Sequence, residues 1–351
     1  MDALMQGVFD NIVDKVFNGD LYIVFKPLDL QLHGYHSKDN IVLNIPNRRS
    51  RRIGFGLLEV ATESSSESVD WRLKLNGISV TKEFKPHYMV RYKDRLISKF
   101  VYDVTPILNT EESMRREWVN LTVKHEGGSP VKLRKIQLAA LYEDTDASTS
   151  LKYWTGLLVL YPGESYPLAK CKNIGGHGIR ISSYIPQRTS RLIMRINGMR
   201  YELTSPYTEG FEEYIINNIN TSPGDDAIAL VNEGEGGAII TSSIILYSIR
   251  MPIPVIEVED INASRAGGQL KIIVSLMNKG ESSPDFIVFT VLYKGSMLTS
   301  MKIDKPLKSS ERSISELVVP GIVKTGEPIT LRIVWSKLSR TWFTEKQILV
   351  P

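Results

Sequence analysis

Four arginines occupy five consecutive positions at Arg48, Arg49, Arg51 and Arg52, the strongest local charge in the chain. Guanidinium groups pair bidentately with phosphate and carboxylate, so the cluster suits an anionic surface, nucleic acid or an acidic neighbouring subunit. No aromatic residue interleaves with the arginines, so the stacking platform of single-strand binders is missing, and a solvated hairpin tip is the competing reading. A second cluster, Glu143, Asp144 and Asp146, gathers hard oxygen donors on one turn, a weak calcium candidate. Thr149 stands where the helix-loop-helix calcium pattern needs its turn glycine, so a solvated acidic turn competes here too. His33 and His36 would reach one metal only from a helix, and Gly34 between them argues for a loop.

The commoner signatures of catalysis are absent from the sequence. It has no phosphate-cradling GxxxxGK[ST] loop, no zinc-binding HExxH and no GxSxG nucleophile turn. Gly175-Gly176-His177-Gly178 lacks the spacing of a dinucleotide loop and reads as a turn. Trp71, Trp118, Trp154, Trp335 and Trp342 are expected in cores, although an aromatic face also suits a sugar ring, which keeps a glycan among the candidate partners. Asn120, Asn220 and Asn262 open glycosylation triplets of a kind this composition produces by chance. The expectation is a protein without enzymatic activity, catalytic residues or cofactor. A sandwich-type glycosidase, whose paired carboxylates converge invisibly to sequence, stands third among the readings.

Composition narrows the frame. The single cysteine, Cys171, excludes an internal disulfide framework and any zinc or redox site that needs paired thiols. A formal charge of +4 over 351 residues is too dilute for a dedicated nucleic-acid binder, so only local clusters argue for anionic partners. No apolar run is long enough to span a membrane, and the best candidate, 239–249, is interrupted by Thr241, Ser242 and Ser243.

The positions of these residues depend on the elements that carry them. Met1, Leu4, Met5, Val8, Phe9, Ile12, Val13, Val16 and Phe17 recur at helical spacing, which predicts an amphipathic helix over residues 1–19 that docks on its own sheet or on a neighbouring subunit. The same segment lacks a basic region followed by a continuous apolar run, so no signal peptide is recognised. Beyond residue 20 the period changes to short alternating runs rich in Val, Ile, Tyr and Leu, separated by Gly, Asn, Asp, Ser and Pro. Strands without βαβ alternation predict an all-β chain of antiparallel sandwiches.

An internal repeat organises the first 250 residues. Trp71-Arg72-Leu73-Lys74-Leu75-Asn76-Gly77 matches Leu192-Ile193-Met194-Arg195-Ile196-Asn197-Gly198, each an alternating strand running into an Asn-Gly turn. Downstream, Glu126-Gly127-Gly128 leads into Ile136–Tyr142, as Glu235-Gly236-Gly237 leads into Ile244–Tyr247. These signals predict a first sandwich over 20–150 and a related, jelly-roll-like second over 151–250. Leu75-Asn76-Gly77, Tyr102-Asp103-Val104-Thr105, Ala140-Leu141-Tyr142-Glu143-Asp144 and Tyr153-Trp154 resemble an uncharacterised domain family of archaeal, methanogen-type surface proteins. That resemblance implies a surface-exposed β-sandwich and offers no catalytic residues.

Met251-Pro252-Ile253-Pro254 cannot continue a central strand and marks a boundary. About seven short strands over 255–351 then predict an immunoglobulin-like sandwich. Leu276-Met277-Asn278-Lys279-Gly280 resembles the adhesion-related sandwich domains of archaeal and bacterial surfaces, which space, bind or assemble. The expected function is structural. A virion capsid or vertex protein of an archaeal virus leads, with protein subunits as partners and the virion or an extracellular surface as its location; a cell-surface adhesion or polysaccharide-binding protein is the alternative.

Overall fold

A computed structural model describes residues 7–35, 37–46, 51–80, 85–172, 176–203, 210–219, 225–320 and 323–351. The chain divides into two compact units, one within residues 7–250 and one over Met251–Pro351. In the first unit the strands are β1 (Phe9–Leu32), β2 (Ser37–Asn44), β3 (Ile53–Ser64), β4 (Trp71–Leu75), β5 (Ile78–Ser79), β6 (Tyr88–Tyr92) and β7 (Arg95–Asp103). Two single-turn helices, α1 (Thr105–Leu108) and α2 (Glu111–Met114), precede β8 (Trp118–His125) and β9 (Val131–Leu160). The remaining strands are β10 (Ser165–Lys172), β11 (Gly178–Ile185), β12 (Leu192–Ile196), β13 (Met199–Glu202), β14 (Gly210–Ile216), β15 (Asp225–Asn232) and β16 (Ile239–Arg250).

The repeat expected from sequence is visible in the pairing. One small sheet runs β2-β8-β4-β5 and the other β10-β15-β12-β13, the same order of corresponding strands, all antiparallel. The two Asn-Gly turns are built alike. Asn76 and Gly77 have φ of 49° and 83°, Asn197 and Gly198 of 50° and 81°, the doubly positive pair that a two-residue hairpin needs. Each asparagine also clips the neighbouring strand: Asn76 Oδ1 accepts from the Asn120 N–H at 2.9 Å, and Asn197 Oδ1 from the Ala227 N–H at 2.8 Å.

The large sheet belongs to both repeats, in the order β14-β11-β16-β9-β3-β7-β6, with β1 also on β9. The first half of β9 pairs with β3 and the second half with β16, while β1 follows β9 along both halves. Where the halves meet, the register jumps from Asn18↔Ser148 to Gly19↔Glu143, leaving residues 144–147 of β9 unpaired with β1. Gly19 has φ 147°, and a Cβ there would lie 2.0 Å from the Tyr142 carbonyl oxygen, so only glycine fits this joint. The joint between the repeats thus lies inside a continuous strand, and the sequence boundary at residue 150 falls within β9.

Across the joint the large sheet faces itself. Leu57 and Leu141 from one half pack with Leu151, Tyr153 and Ile245 from the other. Ala61 and Ile97 likewise meet Leu157, Val159 and Ile240. Alternation explains the layers: in β9, Ile136, Leu138 and Ala140 fill the first sandwich, whereas Lys135, Gln137, Ala139 and Leu141 turn toward the second repeat.

The amphipathic helix expected over residues 1–19 is corrected wherever the structure describes it. Val8 precedes β1, and Phe9, Ile12, Val13, Val16 and Phe17 lie within that strand; Leu4 and Met5 fall outside the described residues. A register shift between Asn11 and Val13 inserts Ile12 as a bulge. The helix-like spacing arises because exposed Val8, Ile12 and Val16 each precede an inward-packed residue, Phe9, Val13 and Phe17, so apolar pairs recur every four residues. The backbone groups find partners along β9, which favours β-branched Val and Ile over a short isolated helix.

The second unit is a sandwich of two antiparallel sheets. Its strands are β17 (Ile256–Ala266), β18 (Gln269–Asn278), β19 (Phe286–Tyr293), β20 (Ser296–Ile303), β21 (Arg312–Val319), β22 (Pro328–Lys337) and β23 (Arg340–Leu349). They form a three-stranded sheet, β17-β18-β21, and a four-stranded sheet, β20-β19-β22-β23. The core holds Ile272, Val274, Phe289, Leu317, Ile333 and Trp335. Buried Asn278 ties the entrance together: its amide donates to the carbonyls of Ser282 and Leu307, both at 2.8 Å, and its Oδ1 accepts from Val255 and Gly280.

Candidate functional site

Among the described residues, a dense buried polar network lies between the two facing halves of the large sheet. Glu59 comes from β3, Lys99 from β7 and Lys135 from β9; each sits in a strand otherwise rich in apolar residues, and all three are fully buried. Lys99 Nζ lies 2.9 Å from Glu59 Oε1, and Lys135 Nζ lies 3.0 Å from Oε2. Thr155, from the second half of β9, donates to Oε1 at 2.5 Å.

Opposite repeats close the network. Lys135 Nζ donates to Ser182 Oγ of β11 at 2.5 Å and to Ser242 Oγ of β16 at 3.1 Å. Lys99 Nζ donates to Thr155 Oγ1 at 2.5 Å and to the Ser242 carbonyl. Ser243 Oγ donates to Gln137 Oε1 at 3.2 Å, and Gln137 Nε2 to the Tyr153 hydroxyl at 2.8 Å. Apart from the Glu59 pairs with Lys99 and Lys135, and the 2.8 Å bond between Ser182 Oγ and Ser243 Oγ within the second repeat, these links cross from one repeat to the other.

Burial alone would raise the Glu59 carboxyl, but the Lys135 and Lys99 ammonium groups outweigh it and hold the pKa down to about 2. Burial is the largest influence on Lys99 and lowers it to about 7, against the opposing pull of Glu59. Lys135 is lowered for the same reason. Tyr153 is pushed well above its ordinary value, by burial first and then by Glu59. Two cations face one carboxylate and all three groups are buried, so the network ties together the two facing halves of the sheet. Its chemistry is that of a lock between sheets.

The residues singled out in the sequence lie elsewhere. Arg48 and Arg49 lie outside the described residues. Arg51 Nε is 3.9 Å from Asp144 Oδ2, and the Arg52 carbonyl accepts from the Glu143 N–H at 2.9 Å, so the basic and acidic clusters meet at the joint of β9. The connection that carries the arginines is not a hairpin, because β2 and β3 belong to opposing sheets. Asp144 Oδ1 accepts from the Asp146 N–H at 2.9 Å. Among the described residues no three His, Cys, Asp or Glu side chains group to hold a metal ion. His36 lies outside the described residues.

Trp71, Trp154 and Trp335 are buried, and Trp342 packs on the core of the second unit. Trp118 is partly exposed but lies under the Arg116 guanidinium, 4.8 Å from its ring centroid. Phe9, Val13 and Phe17 pack inward, whereas Val8, Ile12 and Val16 are exposed. No helix among the described residues is long and apolar enough to cross a membrane.

Sequence reading missed the buried network. Its only trace is polar interruption of apolar strands, as at Glu59 between Leu58 and Val60, or Ser242-Ser243 within the 239–249 run.

No family model and no curated protein matches the chain. Among solved structures, it is similar to a β-glucuronidase from Ruminococcus gnavus in complex with C6-substituted uronic isofagomine, at 12% identity and TM-score 0.22, over 56% of this chain and 36% of that one. A second structure of the Ruminococcus gnavus enzyme aligns at 14% identity and TM-score 0.21, over 56% and 35%. The chain thus spans little more than a third of those enzymes, and a likeness this slight carries no functional inference.

Proposed function

We propose that this chain is a non-catalytic structural protein that works by assembling with other protein subunits, in its finer role as a coat or vertex subunit of a virion such as that of an archaeal virus. The observation that carries this reading is a row of apolar side chains in register on one outward face of the C-terminal sandwich. Val288, Val334 and Phe343 stand side by side across β19, β22 and β23, with Phe343 65% exposed. On the opposite sheet Ile273, Ile314 and Val318 are exposed. The outer face of a free-standing antiparallel sheet is ordinarily polar, and contiguous apolar residues there mark a contact surface.

The buried Glu59 network supports the same reading, since its titratable groups are sealed from any substrate. Electron microscopy and sedimentation of the full chain test the proposal. Closed particles or pentameric and hexameric rings support a virion subunit, and a flat lattice moves the assignment to a cell surface. Monomers at every concentration, together with hydrolysis of a glycoside panel, would replace it with an enzymatic reading.

A further inference from the structure

We infer that the free edge of β21 is a self-pairing surface through which two copies of this chain join, antiparallel and centred on Ile314, extending their three-stranded sheets into one. The inference deepens the assembly reading and rests on it.

β21 is the edge of the β17-β18-β21 sheet. The Asn278 N–H donates to the Glu311 carbonyl at 3.1 Å, and the pairing of β18 with β21 continues without a shift from Met277↔Arg312 to Leu270↔Val319. Antiparallel pairs alternate between bonded and non-bonded, so the backbone groups of Ser313, Ser315, Leu317 and Val319 are used on β18. Those of Arg312, Ile314, Glu316 and Val318 then point to the open side. The same four residues are the exposed ones along the strand, and Ile314 is 75% exposed.

An antiparallel pair centred on Ile314 sets each Ile314 against its twin. It also sets Arg312 of each copy opposite Glu316 of the other, because the two lie equally far from the centre. Each of these pairs consists of residues with outward-turned backbone groups, so the main chains bond where the charges match. No other centre brings Arg312 to Glu316. Within one chain Arg312 already lies 2.9 Å from Glu259 and Lys271 lies 2.9 Å from Glu316, and both pairs are on the exposed face where a second partner joins them.

The edges at β17 and β23 lack the complementarity. β17 carries Glu257, Glu259 and Asp260, so self-pairing would crowd like charges. A pair of β23 strands centred on exposed Phe343 would set Arg340 against Lys346. Natural edges are usually guarded by lysine, proline or a bulge, and β21 has none of these.

The test is sedimentation equilibrium of the full chain, with circular dichroism to confirm folding of each variant. The wild type is expected to dimerise. Arg312→Glu and Glu316→Arg should each weaken the dimer about tenfold, and the double reversal should restore it. Ile314→Lys should abolish dimerisation and leave the melting temperature at that of the dilute wild-type monomer, since the side chain is outside the core. A dimer that survives Ile314→Lys, or a double reversal that recovers nothing, overturns the β21 interface while leaving assembly by another surface intact. A wild-type monomer at all concentrations overturns both.

Discussion

Glu59 lies under two ammonium groups, and removing it would leave two buried cations facing each other. Glu59→Gln is therefore expected to lower the free energy of unfolding by about 3–5 kcal/mol, while the triple variant Glu59→Leu, Lys99→Met, Lys135→Met stays within about 2 kcal/mol of wild type or exceeds it. Urea unfolding checks both, and a triple variant as unstable as the single one would mean that the charges add stability beyond mutual compensation. The same groups set a pH dependence. Lys99 is lowered to about 7 in the folded chain, so between that value and the ordinary lysine value of about 10.4 the unfolded chain holds the extra proton. Stability should accordingly rise from pH 7 toward pH 10, above which the raised Tyr153 reverses the trend. Glu59 acts at the other end: its contribution is present above its ordinary value of 4.5 and is lost as pH falls through about 2. Denaturation curves at pH 7, 8 and 9 should show the rise, and Lys99→Met should flatten it; a wild-type curve that is flat over this range would show Lys99 titrating at its ordinary value. At this scale the sequence was partly legible. Polar interruptions in apolar strands were visible, but that Glu59, Lys99 and Lys135 meet depends on strands separated by 40 and 36 residues (99 − 59 and 135 − 99).

Local signals and long-range ones differ most clearly at the level of single elements. The Asn-Gly hairpins were readable because a two-residue turn is specified by its own residues, and both take the same positive φ angles. The N-terminal stripe was misread because exposed Val8, Ile12 and Val16 stand beside inward Phe9, Val13 and Phe17, a four-residue recurrence that a strand and a helix both allow, and only the partner strand shows which applies. β1 covers one edge of β9 along its length and lays Val13 and Phe17 on the apolar contact between the repeats. Deleting residues 1–18 should therefore lower the melting temperature, since burying each such side chain contributes about 1.5–3 kcal/mol. The deletion should also speed hydrogen exchange at residues 148–156 of β9, whose partners it removes. Unchanged stability with lost assembly would instead place this segment's role between subunits, against the intramolecular pairing described here.

For the whole molecule, two compact units imply two cooperative transitions, because each has its own core and Met251-Pro252-Ile253-Pro254 interrupts the backbone pairing between them. The prolines made this division legible, whereas the continuity of β9 through both repeats of the first unit was not, since Glu143-Asp144-Thr145-Asp146 at the joint reads as a turn although the strand runs through it. The shared sheet and the Glu59 network should make the two repeats melt together, although each has a sandwich core of its own. Differential scanning calorimetry of the full chain is expected to show one transition that Glu59→Gln lowers by on the order of 10 °C. It should also show another that responds to Trp335→Ala, a change that empties a buried aromatic site and costs about 3–5 kcal/mol. Trp335 Nε1 donates to the Pro254 carbonyl at 3.1 Å, so the substitution loosens the entrance of the second unit as well as its core. Each variant should leave the other transition in place. If both substitutions move a single common transition, the units fold as one, and the division at Met251 is a matter of geometry without energetic independence.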